Sequence, residues 1–511
     1  MEMKVKVLDI EAGTNIALMS DDDARERGLF AADRVCLSKL GGSSASSGKD
    51  EKQLIAILDI SSNFIEKGTI GIFSEAARRL GLKNDEKIFV TMAEKPASQE
   101  FIKKKMDKKE LEEVEIRRII EEMMKGMLSD IELSSFIASV YINGLTDNET
   151  IYLTDAIVDS GERLILDKHP IADKHCTGGV AGNRTTMIVV PIVAAAGAYI
   201  PKTSSRAITS AAGTADTMEV LAPVSLSIKE LERVVLNCHG CMVWGGGLNL
   251  AAADDKLIKI RNPLRLDPRG MLLASILAKK KSVDAEYVVV DIPVGRGNKI
   301  TNIKAAEKLA QDFLNIGSKL GMKIEVLLTD GNGPIGRGVG PALECRDVLQ
   351  VMQGNGPRDL KDKSCKLAGA LLELTEIAEK GRGEFIAKDI LESGKAYAKL
   401  KEIIEHQGGN PDVRVDDLPI GSVKHAVKSN AEGRIQFIDN KIISKIARAA
   451  GAPKNKGAGI YLHVERGDKI VKEQVLFEIF AESEAKLDFA LDVLKRESPI
   501  ELEQFILKCV Q

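Results

Sequence analysis

Two apolar runs constrain this chain most: Tyr287–Pro293 (YVVVDIP) and Ile324–Leu328 (IEVLL), separated by a helical pattern over Ala305–Leu320. Strands that alternate apolar and polar residues bury one face. Runs without that alternation predict parallel strands buried on both faces, which need crossover helices. A further helical pattern follows at Ala368–Lys380, and Met187–Tyr199 reads as a long apolar, Ala-rich helix. The middle of the chain is therefore an α/β body.

The flanks have other periods. Short alternating runs at Lys4–Asp9, Leu54–Ile60 and Lys87–Thr91, with GGSSASSGKDEK at 41–52 between them, predict a small β-rich domain over 1–92 carrying one flexible loop. Helical spacing over 98–165, in the stretches 115–124, Glu132–Tyr141 and Asn148–Val158, predicts a helical segment. After about 410, strands at Ile460–Val464 and Gln474–Phe480 and a helix at Ala485–Val493 predict an α+β domain over 411–511. Its Gly467-Asp468-Lys469 hairpin is superficially similar to a biotin- or lipoate-carrying domain, but the expected modifiable lysine is missing, so the hairpin reads as structural.

Composition excludes several classes. With 72 basic and 75 acidic residues among 511, the formal net charge is −3, which gives no global basic field for nucleic acid. Aromatics at 4% argue against a base-stacking platform. The seven scattered cysteines do not make a disulfide framework. Cys238 and Cys241 form a CxxC, but no second ligand pair completes a zinc site, so two small core residues are expected and no metal. With no signal core or membrane-length apolar run, a cytoplasmic protein is expected.

Three loops carry the chemistry. The first, Asp173 to Thr185, is glycine-rich and ends where the long apolar helix starts, so helix N–H groups, Lys174, Thr177 and Thr185 could hold an anion. The GxxxxGK[ST] spacing is absent. The second, Lys202 to Asp216, packs six hydroxyls and two cations into the thirteen residues Lys202–Thr214, among Ala, Ile and Gly rather than solvating residues. A half-buried polar site fits that composition. The third spans Arg261 to Gly270, continues into a helix with Ser275 and Lys279, and returns as Val294-Gly295-Arg296-Gly297-Asn298-Lys299 after a strand. Ligands of α/β proteins bind at such strand ends.

At these loops the sequence resembles the thymidine and pyrimidine nucleoside phosphorylases and, within them, the archaeal AMP phosphorylases. The resemblance rests on DKHCTGG (173–179), SSRAITSAAGTADTMEV (204–220), ASILAKK (274–280), VGRG (294–297) and GNGPRDL (354–360), in order over about 95–505. It implies an α/β multidomain fold. A helical lobe, 98–165 joined in space by about 252–282, faces an α/β lobe, 166–251 and 283–410, across a cleft. The first 90 residues resemble the extra domain of the AMP phosphorylases.

The resemblance also implies roles. Lys174, Cys176, Thr185, Ser204 and Thr214 match binders of inorganic phosphate; Cys176 stands where the family has Ser. Arg261 (across a one-residue gap), Ser275 and Lys279 match residues that hold the base. Gly179, Ser205, Arg206, Ala207, Ile208, Thr209, Ser210, Thr214, Ser275 and Lys299 match nucleotide-binding positions, and the two sets overlap at Thr214 and Ser275. Asp267 matches the proton donor, with His175 as the rival acid. To donate near neutrality, an Asp needs burial or a neighbouring carboxylate, whereas Arg265 and Arg269 would oppose it.

The implied reaction is phosphorolysis of nucleoside 5′-monophosphates, AMP giving adenine and ribose 1,5-bisphosphate, with CMP and UMP as further candidates. Inorganic phosphate is the co-substrate and no cofactor is expected. A homodimer that assembles further is implied, with no nucleic-acid or membrane partner. The alternatives are a pyrimidine nucleoside phosphorylase, a magnesium-dependent phosphoribosyltransferase of related fold, and a non-catalytic assembly protein.

Overall fold

The computed structural model describes residues 1–39, 53–93, 95–207, 210–264 and 266–503. The stretch 41–52, expected as a flexible loop, lies outside them, as do Ile208, Thr209 and Arg265. The chain divides into two units, Met1–Gly161 with Ala251–Ser275, and Glu162–Leu250 with Ile276–Gln511.

In the first unit, six strands among the described residues close a barrel in the order Glu2–Leu8, Thr69–Phe73, Ile16–Ser20, Gln53–Ser61, Arg34–Lys39 and Lys87–Met92. Alternation along Glu2–Leu8 sends Met3, Val5 and Val7 inward, where they meet Met19, Leu37, Leu58 and Ile72. Half of these strands escape sequence reading: Ile16–Ser20, Arg34–Lys39 and Thr69–Phe73 are short, and Thr69–Phe73 is also buried at three successive positions. Four helices follow: Ser98–Met106, Glu113–Met124, Asp130–Asn143 and Asp147–Asp159. The last three open with capping boxes, Glu112 with Glu115, Ser129 with Glu132 and Thr146 with Glu149, each satisfying otherwise unpaired N–H groups. Glu149 also accepts from Lys105 Nζ at 2.6 and 2.8 Å and from Leu111 N–H at 2.9 Å, a buried tie between helices. Helix Ala252–Arg261 belongs to the same unit.

In the second unit, strands Lys323–Asp330, Tyr287–Val294 and Ala172–Cys176 run parallel in that order. A parallel bridge between Ile171 and Tyr199 leads on to the parallel pair Ile200–Ser204 and Gly240–Trp244. Tyr287–Val294 is central and buried along nearly its whole length. Lys323–Asp330 differs from expectation: it is an edge strand, partly exposed at most positions, because no strand among the described residues pairs beyond it. Two helix bounds also differ. The apolar helix is Thr186–Ala195, buried from Thr186 to Ala194 despite an internal Pro191, and the later one is Arg358–Leu374. A helix apolar all round has to be interior.

Strands Val423–Lys428, Gly433–Ile438, Gly459–Leu462 and Val475–Ala481, with helices Asn440–Ala449 and Glu484–Arg496, form the C-terminal part. Its core includes Ile443, Ile460, Phe477 and Ile479, together with Ala181 and Ala211 from the glycine-rich loops. No helix among the described residues is long and apolar enough to cross a membrane.

Candidate functional site

Asp173 to Cys176 is strand rather than loop, so Lys174 is carried on a sheet edge and is only 1% exposed. Its Nζ donates to Thr185 Oγ1 at 2.9 Å and reaches Thr186 Oγ1 at 3.5 Å, at the start of the apolar helix. Asp291 Oδ2 lies 3.9 Å away. Burial drives Lys174 below the ordinary lysine value, opposed by Asp291. Asp291 is fully buried in strand Tyr287–Val294. Burial alone would raise its carboxyl, but Lys174 and Lys363 outweigh that and lower it.

A second buried knot lies one residue earlier. Asp173 accepts from Lys202 Nζ at 3.1 Å and from Lys280 Nζ at 2.6 Å, while Lys202 also donates to the Lys174 carbonyl at 2.6 Å. Desolvation raises Asp173, and the two ammonium groups more than reverse it. Two buried carboxylates thus hold the cations of four elements in register. His175 lies among them. Burial first, then Lys280, Lys202, Lys174 and Lys279, push its imidazole well below the ordinary value, so the ring is neutral.

The glycine-rich loop then turns over this frame. Cys176 Sγ accepts from Gly178 N–H and Asn183 Nδ2, both at 3.4 Å, and burial pushes the thiol up, so it stays protonated. Gly179 has φ +100°, and a Cβ there would come within 1.6 Å of Asn298 Oδ1. The first loop and the Val294–Lys299 segment therefore meet at a spacing that only glycine permits. Ala181 N–H donates to Asn440 Oδ1 at 2.9 Å, tying the loop to the C-terminal part.

Arg184 joins the first two loops. Its guanidinium pairs with buried Glu344, donates to Thr214 Oγ1 at 3.1 Å and donates to the Ala212 carbonyl at 2.8 Å. Glu344 also accepts from Thr217 Oγ1 at 2.9 Å. Gly213 is equally constrained, since a Cβ would lie 2.4 Å from the Ser205 carbonyl. Thr177 Oγ1, Ser204 Oγ and Asn298 Nδ2 are buried without a hydrogen-bond partner among the described residues. Lone buried polar groups of this kind are costly.

Arg206 is already engaged. It pairs with Glu219 at 2.5 Å and Asp216 at 3.2 Å and lies 4.9 Å over the Trp244 ring. Glu219 is held down to about 2, first by Arg206, against burial and with help from Lys456. Asp216 accepts the Ala207 N–H at 2.7 Å. Ser205 is exposed, and Ser210 Oγ donates to the Ala212 carbonyl at 3.0 Å. Exposed Lys299 has no ion-pair partner among the described residues.

The second unit thus gathers Lys174, Cys176, Gly179, Thr185, Ser204 and Thr214 through shared hydrogen bonds and close loop packing. Lys279 is half-buried in that unit. In the first unit, Arg261 Nη1 donates to Asp267 Oδ1 at 3.0 Å, and Ser275 Oγ donates to Asp254 Oδ2 at 2.8 Å. The burial expected around Asp267 is not found, for its side chain is 47% exposed. Sequence reading missed Asp291, Lys280 and Glu344. Of these only Asp291 left a signal, a carboxylate inside an apolar strand. Cys238 and Cys241 are buried free thiols, and no group of three or more His, Cys, Asp or Glu among the described residues is arranged to hold a metal.

Comparison with known proteins adds to this. Residues 99–161 match the helical bundle domain of a glycosyl transferase family, and 168–397 match the a/b domain of that family. Residues 434–501 match the pyrimidine nucleoside phosphorylase C-terminal domain. The chain is 45% identical to an AMP phosphorylase of Thermococcus sibiricus, over 99% of each chain. It is 45% identical to one of Pyrococcus furiosus over 100% of each, and 43% identical to one of Methanococcoides burtonii over 100% of this chain and 99% of the other. Anthranilate phosphoribosyltransferase from Thermus thermophilus shares the fold. Its TM-score is 0.52 at 18% identity, over 60% of this chain and 98% of that one.

Proposed function

Because the chain belongs to the AMP phosphorylase family, we propose that it is a pentosyltransferase that splits AMP with inorganic phosphate into adenine and ribose 1,5-bisphosphate. The observation that carries this reading is the buried cation Lys174, fixed by Asp291 and Thr185 at the start of an apolar helix and roofed by glycine loops. That arrangement suits a phosphate dianion: an ammonium and the hydroxyls of Thr185 and Thr186 converge where water is scarce.

The N-glycosidic bond breaks through an oxocarbenium-like state, as in glycoside hydrolysis. Phosphate held by Lys174, Thr185, Ser204 and Thr214, with the Cys176 segment, stabilises the developing cation and attacks C1′. The loops supply proximity and orientation. Cys176 contributes through its backbone N–H, the thiol being a weak donor.

We assign the proton to the departing base to Asp267 rather than His175, because a neutral imidazole among lysines is a poor cationic acid. Asp267 is paired with Arg261, so the assignment requires that pair to open on substrate. Arg261, Ser275 and Lys279 are assigned to the base. Gly179, the segment from Ser205 through Ile208 and Thr209 to Ser210, Thr214, Ser275 and Lys299 are assigned to the nucleotide. With Arg206 committed to Glu219, Lys299 is the cation we assign to the 5′-phosphate. CMP and UMP are proposed as further substrates. No metal or cofactor is invoked, and a cytoplasmic homo-oligomer is proposed. Phosphorus NMR of a reaction with AMP and phosphate tests the reading. Two product resonances in equal amount, one an anomeric phosphate, are expected; inorganic phosphate unchanged while adenine accumulates would contradict it.

A further inference from the structure

The buried frame around Lys174 includes one cation to which the chemistry above gives no task, Lys363. Helix Arg358–Leu374 carries it inward until its side chain is 12% exposed, and its Nζ stops 3.1 Å from Asp291 Oδ2. The same oxygen lies 3.9 Å from Lys174 Nζ. Two ammonium groups therefore share one carboxylate oxygen. Lys363 has the larger share, since Coulomb attraction rises as distance falls. The other oxygen, Asp291 Oδ1, accepts from Thr329 Oγ1 at 2.5 Å. Neither Lys363 Nζ nor Asp291 Oδ2 makes a hydrogen bond among the described residues, so their contact is one of charge rather than of a directed bond.

A charge left unpaired away from water is costly, so Asp291 must close on a cation. It has two to choose from. Closed on Lys174, it would neutralise the ammonium that phosphate needs. Closed on Lys363, it leaves Lys174 to the hydroxyls of Thr185 and Thr186 at 2.9 and 3.5 Å. The distances favour the second arrangement. The other groups facing Lys174 do not supply the missing negative charge. Lys202, on strand Ile200–Ser204, is a like charge paired with Asp173. Cys176, on the same strand as Lys174, keeps its thiol protonated. Two cations around one carboxylate leave a positive charge for an incoming anion to balance.

We infer that Lys363 is a positioning residue for phosphate: by holding Asp291 Oδ2, it keeps that carboxylate from closing onto Lys174 and leaves the Lys174 ammonium to the anion. This role rests on the proposed assignment of inorganic phosphate to Lys174. Lys363 acts through Asp291 and not on substrate, its Nζ being closed off from solvent.

Lys363→Met and Lys363→Gln, each made in the wild type and in Asp291→Asn, test the role in the full-length protein. Phosphate affinity is read twice on the acid side of the alkaline fall: as the KM for phosphate with AMP saturating, and as the Kd for inorganic phosphate by isothermal titration. In the wild-type background both should weaken about tenfold, as for one buried charge contact, while kcat and the KM for AMP change little. In Asp291→Asn the same substitutions should have little or no effect, because no carboxylate is left to restrain. Lys363 also lowers Lys174, so without it the Lys174 charge persists to higher pH and the alkaline fall should move up, opposite to Asp291→Asn. Unchanged phosphate affinity, an equal loss with and without Asp291, or an alkaline fall that stays in place would overturn the role. Equal losses for phosphate and AMP in both Lys363 variants would make Lys363 merely structural and overturn it too. A wild type that binds phosphate by titration yet splits no AMP would end the phosphorolysis reading alone; one that shows phosphate affinity in neither assay would end both.

Discussion

Lys174 and Asp267, both given roles in one reaction, stand in opposite surroundings. Lys174 is 1% exposed and is fixed by Thr185, Thr186 and Asp291; a second knot of Asp173, Lys202 and Lys280 lies beside it. Asp267 is 47% exposed and is paired with Arg261 in a polar segment. The first region is built before substrate arrives, because each buried charge there needs a partner in the free protein. The second keeps its acid near water, where an ion pair can be exchanged at little cost. A preorganised anion site and an adjustable acid fit a reaction in which phosphate is constant and the leaving base must be met.

The comparison breaks first at the acid. Asp267→Asn should lower kcat about 10²- to 10⁴-fold, the range of a lost general acid, while the KM for AMP changes little. Steady-state kinetics check this, and unchanged kcat would remove Asp267 from proton transfer. Next comes the frame. Glu344→Gln weakens the buried hold on Arg184 and, through it, on Thr214. Loss of a charged hydrogen bond at about 1.5–3 kcal/mol corresponds to a KM for phosphate raised about 10- to 150-fold, measured with AMP saturating.

A smaller effect is expected at Lys299. Lys299→Ala should weaken AMP about tenfold, as for one charge-assisted contact of about 1.4 kcal/mol, and leave adenosine binding unchanged. Equal weakening of both would withdraw Lys299 from the 5′-phosphate. The finest test is the pH profile. Lys174 has a lowered pKa, so its charge, and with it phosphate affinity, is present below that value and lost as pH rises through it. Asp291→Asn removes an opposing carboxylate and should move the alkaline fall in kcat/KM for phosphate to lower pH. A fall at unchanged pH would separate Lys174 from Asp291.

Legibility in the sequence follows the same divide. The loops were readable because Lys174, Thr185, Ser204 and Thr214 stand in motifs where glycine and hydroxyl residues crowd between apolar elements. The buried frame was mostly not. Lys279, Lys280 and Lys281 look alike in sequence, yet Lys280 reaches Asp173, since helix rotation selects which one turns inward. Glu344 sits in an ordinary helical pattern, and its pairing with Arg184 spans 160 residues. Asp291 could have been found, as a carboxylate in a central strand demands a cation. Two of the parallel strands, Tyr287–Val294 and Lys323–Asp330, were legible from their apolar runs, but edge position was not, because pairing order depends on topology rather than on local composition. Thr69–Phe73 went unread for a related reason: it is buried at three successive positions inside the closed barrel and so shows no alternation.

The most direct test of the central claim is base release from AMP, CMP, UMP, adenosine, cytidine, uridine and thymidine, with and without inorganic phosphate and without added metal. The account predicts phosphate-dependent release of adenine from AMP and none from adenosine. Release from the nucleosides alone, or release from AMP that does not need phosphate, would contradict it.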